Sequence, residues 1–535
     1  MDTDASRILG GLNESQRKAV TISDGPLLIV AGPGTGKTLT IVRRIAWLIS
    51  RGVKPESILA VTFTNRAARE MKERAEALLG NDGAKIFIGT LHLLGLKIIR
   101  EASSSDFTLY DREEQIGLMK TLSKKTDARA RDLVERISRI KNCIDPLDEE
   151  SKGLFDEYEA ALKNNQAVDF DDLIRTPIDI LERDSPAPFI HKFSHIMIDE
   201  YQDINPAQYR LLRLLSLKSD SICAIGDSDQ AIYGFRGADS GSFLSFSSDF
   251  ENAATVILTE NYRSSAAILA ASNSVIKNNQ QRIEKSIIPT LEQGSRINVF
   301  SLPDERTEGE FIVREIEARI GGTSHYRMSH AGRERDSSSG AYSFSDFSVL
   351  YRTNAQAKAI EEAFLASGIP YQVVGRKSSL QSKEREDTIA YLHSLAAPEG
   401  PGPAPSEASE AKLLTPADFF DPRANAVTLT TMHTAKGLEF RVVFMAGLED
   451  GLVPFTIAKS DADIEEERRL FYVGMTRAKE ELCLLHARSR FLYGRRFSPS
   501  PSPFLGEIPD ALKENVVVPD KVKKKKEPDK QMGLF

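Results

Sequence analysis

The chain of 535 residues is too long for one ordinary core, so several domains of ~100–200 residues each are expected. Its 41% hydrophobic and 27% charged residues are ordinary for a globular protein, and no uninterrupted apolar run approaches the ~18–20 residues of a membrane span, which argues against a membrane protein. A net charge of −7 excludes a uniformly basic coat but not a local basic groove for nucleic acid. Cys143, Cys223 and Cys483 stand too far apart for a disulfide framework or a zinc site, and the acidic amino terminus carries no secretion signal, so the expected compartment is the cytoplasm.

In chain order, Leu12 to Val20 reads as a short helix whose Gln16 can offer both a donor and an acceptor to an adenine edge. The apolar run Leu27 to Ala31 then ends in a glycine-rich turn, Gly32, Pro33, Gly34, Thr35 and Gly36, and Lys37 and Thr38 open a helical pattern carrying Ile41, Ile45, Leu48 and Ile49. Such a turn points successive backbone N–H groups into one concavity for triphosphate oxygens, and the helix adds its positive dipole end. Lys37 would reach the β- and γ-phosphates and the Thr38 hydroxyl would ligate Mg²⁺. The first position of this phosphate-loop pattern is Ala31, small enough for the same turn. Ile58 to Thr64 and Lys85 to Thr90 read as buried strands, Asn65 to Arg74 and Leu91 to Ile99 as helices. Their alternation predicts a parallel sheet whose ligands gather beyond the carboxyl ends of strands, where Thr62, Phe63, Thr64, Thr90 and His92 fall.

Residues 105–168 lose strand character and read as an inserted helical subdomain. The sheet resumes at His195 to Ile198, which delivers Asp199 and Glu200 to a strand end: Asp199 to hold Mg²⁺, Glu200 to orient or deprotonate the attacking water. After the strand at Ile222, Gln230 suits a sensor of the γ-phosphate, and Tyr233, Phe235 and Arg236 make a stacking platform with a cation. Tyr262 can stack on a base and Arg263 can bind phosphate. A second α/β pattern places strands at Arg296–Phe300, Phe347–Tyr351, Tyr371–Val374, Val427–Thr431 and Val442–Met445, with irregular connections at 321–345 and 396–423. Arg477 could complete a phosphate clamp from this second domain as an arginine finger. From Ser498 the composition turns Pro- and Ser-rich and then basic at Lys521 and Lys523 to Lys526, which predicts a disordered tail.

The order and spacing of these segments resemble the UvrD/PcrA/Rep branch of superfamily 1 helicases from Leu12 to about Arg488. The family's motifs are matched at Gln16, Gly32 to Thr38, Thr62 to Asn65, Gly89 to His92, Asp199 to Asp203, Gly226 to Arg236, Asn261 to Ser264, His433 to Phe440 and Val473 to Ala478. The resemblance implies an α/β fold class: two RecA-like parallel-sheet P-loop NTPase domains with a helical insertion and ATP and Mg²⁺ between the sheets. By it, Gln16 and Tyr262 bind adenine, Glu439 lies near the ribose, and Lys37, Gln230, Arg263 and Arg477 hold phosphates. The DNA track would use Phe63, Asn65, His92, Tyr233, Phe235, Arg236 and His433. Family members typically carry Trp where Phe235 stands. The implied division is domain 1A over 1–89 and 171–275, subdomain 1B over 90–170, domain 2A over 276–376 and 427–497, a reduced 2B or linker over 377–426 with one helix from Glu384 to Leu395, and a tail over 498–535.

The function so implied is an ATP-dependent DNA helicase or translocase moving 3′-to-5′ on single-stranded DNA in repair or replication, engaging single strands and their junctions with duplex. Two other readings are a translocase that strips proteins from DNA and unwinds poorly, and a clamp-tethered DNA-binding scaffold with a vestigial ATPase. The intact set Lys37, Asp199, Glu200, Gln230, Arg263 and Arg477 argues against the last. The closing peptide, with Gln531, Leu534 and Phe535, resembles the short segments by which bacterial enzymes attach to the sliding clamp: an amide for a pocket rim and two apolar anchors.

Overall fold

The computed structural model describes residues 2–102, 107–183, 192–321, 342–375, 413, 416–457 and 463–519. Leu27–Ala31, Ile58–Thr62, His195–Ile198 and Ser221–Gly226 are apolar runs buried along their whole length. Strands of this kind, covered on both faces, belong inside a parallel sheet. The sheet runs Phe87–Thr90, Ile58–Thr62, His195–Ile198, Ser221–Gly226, Leu27–Ala31, Ala254–Leu258, and every pairing in it is parallel. One face is packed by Leu94, Ile98, Ile178, Leu211 and Phe243, the other by Ile41, Ile45, Leu48 and Met71.

The second sheet runs Tyr371–Val374, Val427–Thr431, Phe347–Tyr351, Phe440–Met445, Ala478–Leu492, Ile297–Asp304, Lys513–Val517, again all parallel, with Arg495–Phe497 turned back as an antiparallel hairpin on Ala478–Leu492. Its two faces also carry separate cores. The expected insertion is present as helices Arg112–Ser123, Asp127–Lys141 and Glu149–Asn164 around Met119, Val134, Phe155 and Tyr158. It is fixed to its base by the buried Lys141 ammonium, 2.9 Å from Asp169 and 2.7 Å from Asp172.

Two expectations change. Ala478–Leu492, a 15-residue strand at the middle of the second sheet, is absent from the sequence reading. The tail expected to be disordered from Ser498 instead folds as far as residue 519. Phe504, Leu505 and Ile508 bury themselves in the second core, and Lys513–Val517 adds the edge strand beside Ile297–Asp304. The Pro and Ser residues dominate the local composition, but three well-spaced apolar side chains are enough to anchor the segment. The helix expected at Glu384–Leu395, the lysine run and the peptide Gln531 to Phe535 lie outside the described residues. Among the described residues no helix is long and apolar enough to cross a membrane.

Phe504 is 1% exposed, 5.7 Å from the ring of Phe471 and beneath the Arg468 guanidinium. Phe504→Ala should therefore cost about 3–5 kcal/mol of folding stability in urea titrations. A disordered segment would give no change.

Candidate functional site

The Lys37–Ser50 helix begins at Gly36, whose φ of +85° is open to glycine and which offers no side chain to cap the helix. Its first backbone N–H groups are thereby left for a ligand. They face a cavity of about 720 Å³ between the two sheets, lined by Gly32, Pro33, Gly34, Gly36, Lys37, Thr38, Glu200, Gln230, Tyr262, Arg263, Glu439 and Arg477. The structure thus gathers most of the expected nucleotide residues from both sheets in one cleft. Gln16 and Thr35 are buried behind it. Gln16 Nε2 donates to the Thr35 carbonyl at 2.9 Å and its Oε1 accepts from Asn13 N, so Gln16 braces the loop. Tyr262 is half exposed beside the loop, its hydroxyl accepting from Asn13 and donating to Glu260.

Lys37 Nζ lies 2.9 Å from Glu200 Oε1. Glu200 itself has a left-handed φ of +53°, a strain of about 1–2 kcal/mol that aims its carboxylate into the cleft. Burial opposes its charge, but Lys37 and then Lys436 hold its carboxyl well below the usual range. Asp199, next to it, is pushed up to about 7 by burial and by the charge of Glu200. It accepts from Thr62 Oγ1 at 3.3 Å and from the Glu200 backbone N–H at 3.0 Å. Arg263 Nε is 2.8 Å from Glu439, which Lys479 also holds, so Glu439 is drawn down to about 2 against its burial. Arg477 is buried, donating to the carbonyls of Val473 and Leu438, and burial with the nearby Arg263 lowers it to about 9, still protonated at neutral pH.

On the far side of Glu200 lies a second cavity of about 250 Å³ lined by Phe63, Asn65, Thr90, His92, Asp199, Glu200, Arg236 and Leu413 among others. Glu200 walls both cavities. Phe63 stacks on Tyr233 with centroids 4.7 Å apart, and Phe235 stands 5.2 Å from His433 at nearly a right angle. Arg236 lies 5.2 Å over Tyr233 and 5.5 Å over Phe235. Burial, joined at His433 by Arg352, Arg236 and Lys436, lowers His92 to about 4 and His433 to about 3. Both imidazoles are neutral at pH 7 and act as aromatic, hydrogen-bonding groups. Asn65 is the exception on this face. Its Nδ2 donates to the Leu413 carbonyl at 2.9 Å and to Asp418 at 3.3 Å, so the returning connector occupies it.

Sequence reasoning missed four residues. Lys436 donates to the Gln230 carbonyl at 2.7 Å and is ion-paired with Asp203 and, at 3.6 Å, Glu200. Asn261 ties the loop at Pro33 to the turn of Arg263 and Ser264. Asp227 and Lys285 sit behind Gln230. The first three fall inside segments already singled out by motif; Lys285 lies in a polar run with no local signal.

With this geometry in place, comparison with known proteins is informative. The family model described as the UvrD/REP helicase N-terminal domain matches residues 12–251, and that of the UvrD-like helicase C-terminal domain matches 256–400 and 411–489. ATP-dependent DNA helicase PcrA of Staphylococcus aureus (strain Mu50) is 33% identical over 656 aligned positions, covering 95% of this chain and 87% of the relative. PcrA of Bacillus subtilis is 32% identical, covering 96% and 87%. The 656 aligned positions exceed the 535 residues of this chain, so the relative carries stretches with no counterpart here.

Phe235 is 48% exposed, with His433 and Arg236 beside its ring. Phe235→Ala should weaken single-strand binding by about 1–3 kcal/mol, the value of one base-stacking ring, while the urea midpoint stays put. Fluorescence anisotropy with a labelled oligonucleotide measures the first, and unchanged affinity would remove Phe235 from the track.

Proposed function

The chain belongs to the UvrD-like helicases, ATP-dependent DNA helicases and hence ATP hydrolases, and from that membership we propose that it moves 3′-to-5′ along single-stranded DNA in repair or replication. The observation that carries the reading is the cleft itself: the phosphate loop, Asp199, Glu200 and Gln230 come from one sheet, Glu439 and Arg477 from the other, with Arg263 in the crossing segment. A triphosphate bound there would be gripped from both sides, and its hydrolysis would loosen the grip and let the sheets part. The aromatic face begins one residue away, across Glu200, so opening and closing of the cleft would be transmitted to Phe63, Tyr233 and His433.

Within the cleft, Lys37 and the loop N–H groups would hold the β- and γ-phosphates, and Arg263 and Arg477 would neutralise charge on the transferring group. Glu200, ionised through its lysine partners, would orient the attacking water and accept its proton. A hydroxyl from Thr38 and a carboxylate from Asp199 are the hard oxygen donors that suit Mg²⁺, which takes one or two carboxylates and leaves the rest of its shell to phosphates and water. When bound, the ion would neutralise phosphate charge. No cluster of three or more His, Cys, Asp or Glu stands among the described residues as a rival metal cage.

The short connection between Tyr371–Val374 and Val427–Thr431 favours a second reading of the motor's output. Stretches of the relative lack a counterpart here, and the described end of the connector docks on the first domain. We read this as a reduced 2B subdomain, in a motor that translocates readily and needs a partner to open duplex. Strand displacement on 3′-tailed and 5′-tailed duplexes, beside DNA-stimulated ATP turnover, tests both. Glu200→Gln should bind ATP and DNA yet lose ~10²-fold or more of turnover. Equal opening of the 5′-tailed duplex would overturn the polarity, and unaided unwinding by monomers would overturn the second reading.

The closing peptide completes the proposal: Gln531, Leu534 and Phe535 would tether the motor to a sliding clamp, where linkage through DNA raises a modest affinity by effective concentration. Clamp binding by the full chain should exceed that of a chain ending at Asp529. Equal affinity of the two would exclude the tether.

A further inference from the structure

Behind Gln230 lies a buried charge cluster, Asp227, Asp229, Arg282 and Lys285, that does not line the cleft. Lys285 is 1% exposed, as is the Asp229 side chain, and Asp227 is fully buried. Lys285 Nζ sits 2.5 Å from Asp227 Oδ1 and also contacts Asp229 Oδ2. The Arg282 guanidinium forks onto Asp229 at 3.0 and 2.7 Å. The second oxygen of Asp227 accepts from Gln230 Nε2 at 2.8 Å, and the Asp227 backbone N–H donates to Gln202 Oε1, whose amide nitrogen in turn donates to Glu200. One continuous set of hydrogen bonds therefore runs from Lys285 through Asp227 to Gln230, with a branch to Glu200.

The charge on Asp227 decides which way the Gln230 amide faces. An ionised carboxylate only accepts, so it takes an N–H from Gln230 and turns the remaining N–H and the carbonyl oxygen away from itself; a protonated one could donate to the carbonyl and reverse the amide. Burial alone would favour the protonated form, and Lys285 with the Gln230 bond outweighs it, holding Asp227 below its usual range. Removing the lysine would leave two carboxylates buried together, with the one guanidinium bonded to Asp229.

Lys285 also comes from a telling place. The segment from Lys277 to Pro289 leaves the Ala266–Ile276 helix, which is packed in the second core, and laps back onto the first domain. On the way Asn279 bonds the Glu465 carbonyl and Arg468, both on the Ile464–Met475 helix that leads to Arg477. Beyond Lys285, Ile287 lies so close to the phosphate loop that a Cβ on Gly32 would meet it at 2.3 Å.

We propose that Lys285 is a positioning residue for ATP hydrolysis: by holding Asp227 it fixes the Gln230 amide for the γ-phosphate and links that orientation to the second-domain helix that leads to Arg477. The proposal rests on Gln230 contacting the γ-phosphate. A γ-phosphate contact predicts a specific split: ADP, which lacks that group, should bind unchanged, while turnover and the preference for a non-hydrolysable ATP analogue should fall.

The experiment measures single-strand-stimulated kcat and KM for ATP, and dissociation constants for ADP and AMP-PNP, on the full chain. Gln230→Ala tests the underlying reading and should lower kcat by ~10²-fold. Lys285→Met should lower kcat by about 10- to 100-fold, the cost of losing an outer-shell partner, with ADP affinity kept, AMP-PNP preference reduced and the melting temperature lowered by the buried carboxylates left behind. The paired variant Lys285→Met/Asp227→Asn removes both charges and carries the test if the single variant does not fold. Adding Lys285→Met to Gln230→Ala should change kcat by no more than about twofold, because both act through one amide. A full additive loss, or a normal Lys285→Met beside an impaired Gln230→Ala, overturns the positioning role alone. A normal Gln230→Ala overturns the γ-phosphate reading, and this inference with it.

Discussion

Lys37 is held 2.9 Å from the Glu200 carboxylate, and on the function proposed above a triphosphate in the surrounding loop would compete for it. Phosphate binding is therefore an exchange of partners more than the filling of a site. A triphosphate that drew Lys37 away would also free Glu200 from its closest cation, at the place where the proposed reaction orients a water. Lys436 at 3.6 Å and the Gln202 amide keep the carboxylate ionised after that exchange. The same logic holds at the other wall, where Arg263 and Lys479 share Glu439. That acid is 43% exposed, so its pairs are worth little and give up their cations readily.

Buried charge also helps keep the two sheets in register across the cleft, beside the apolar contact of Ile232, Tyr233 and Phe63 with the second sheet's core. Lys436 and Arg469 come from the second sheet's half of the chain and end on carbonyls of the first, those of Gln230 and Ala231. Each is almost wholly buried, and a buried cation without partners costs several kcal/mol. These bonds specify one closed arrangement; they do not add much net stability to it. The Phe63–Tyr233 stack sits on the same seam, with Tyr233 joined to the His433 carbonyl at 3.4 Å. Any hinge motion must change the aromatic face and the Gln230 surroundings together.

The parts legible in the sequence are those where chemistry and chain spacing coincide. The phosphate loop, the strand ending in Asp199 and Glu200, and the pair Tyr262 and Arg263 are contiguous, and a strand end places each beside the cleft. Partners contributed from 58 or 348 residues away leave no such mark: nothing near Lys285 signals Asp227, and nothing near Asn65 signals Leu413. Local composition misled at Ser498, where prolines and serines outnumber the three apolar residues that tether the segment. Ala478–Leu492 follows directly on the Arg477 motif, and its alternation is blurred because a central parallel strand is buried on both faces.

The connector is where the second sheet imposes on the first. Tyr371–Val374 and Val427–Thr431 are parallel neighbours, with Tyr371 opposite Val427, so the chain between them has to cross over one face. Its described end does so by way of the other domain. Leu413 packs with Leu96, Ile99, Leu109 and Leu173, and Asp418 accepts from Asn65 and from the Arg66 backbone N–H at the start of the Asn65–Leu79 helix. An acid is well placed at a helix N-terminus. Phe420 then passes under the Arg66 guanidinium at 4.5 Å and meets Phe440 edge-on before the chain rejoins its own sheet. The carboxylate that satisfies this helix end stands beside Asn65, so a phosphate backbone on the DNA track proposed above would meet a like charge there. The aromatic face is thus unequal along its length: Phe235 is exposed, Tyr233 is buried and His433 half-buried beside it, and an acid stands at Asn65. On that proposed track a strand of nucleic acid would stack on the exposed Phe235, while contact at Asn65 would require Asp418 to give way.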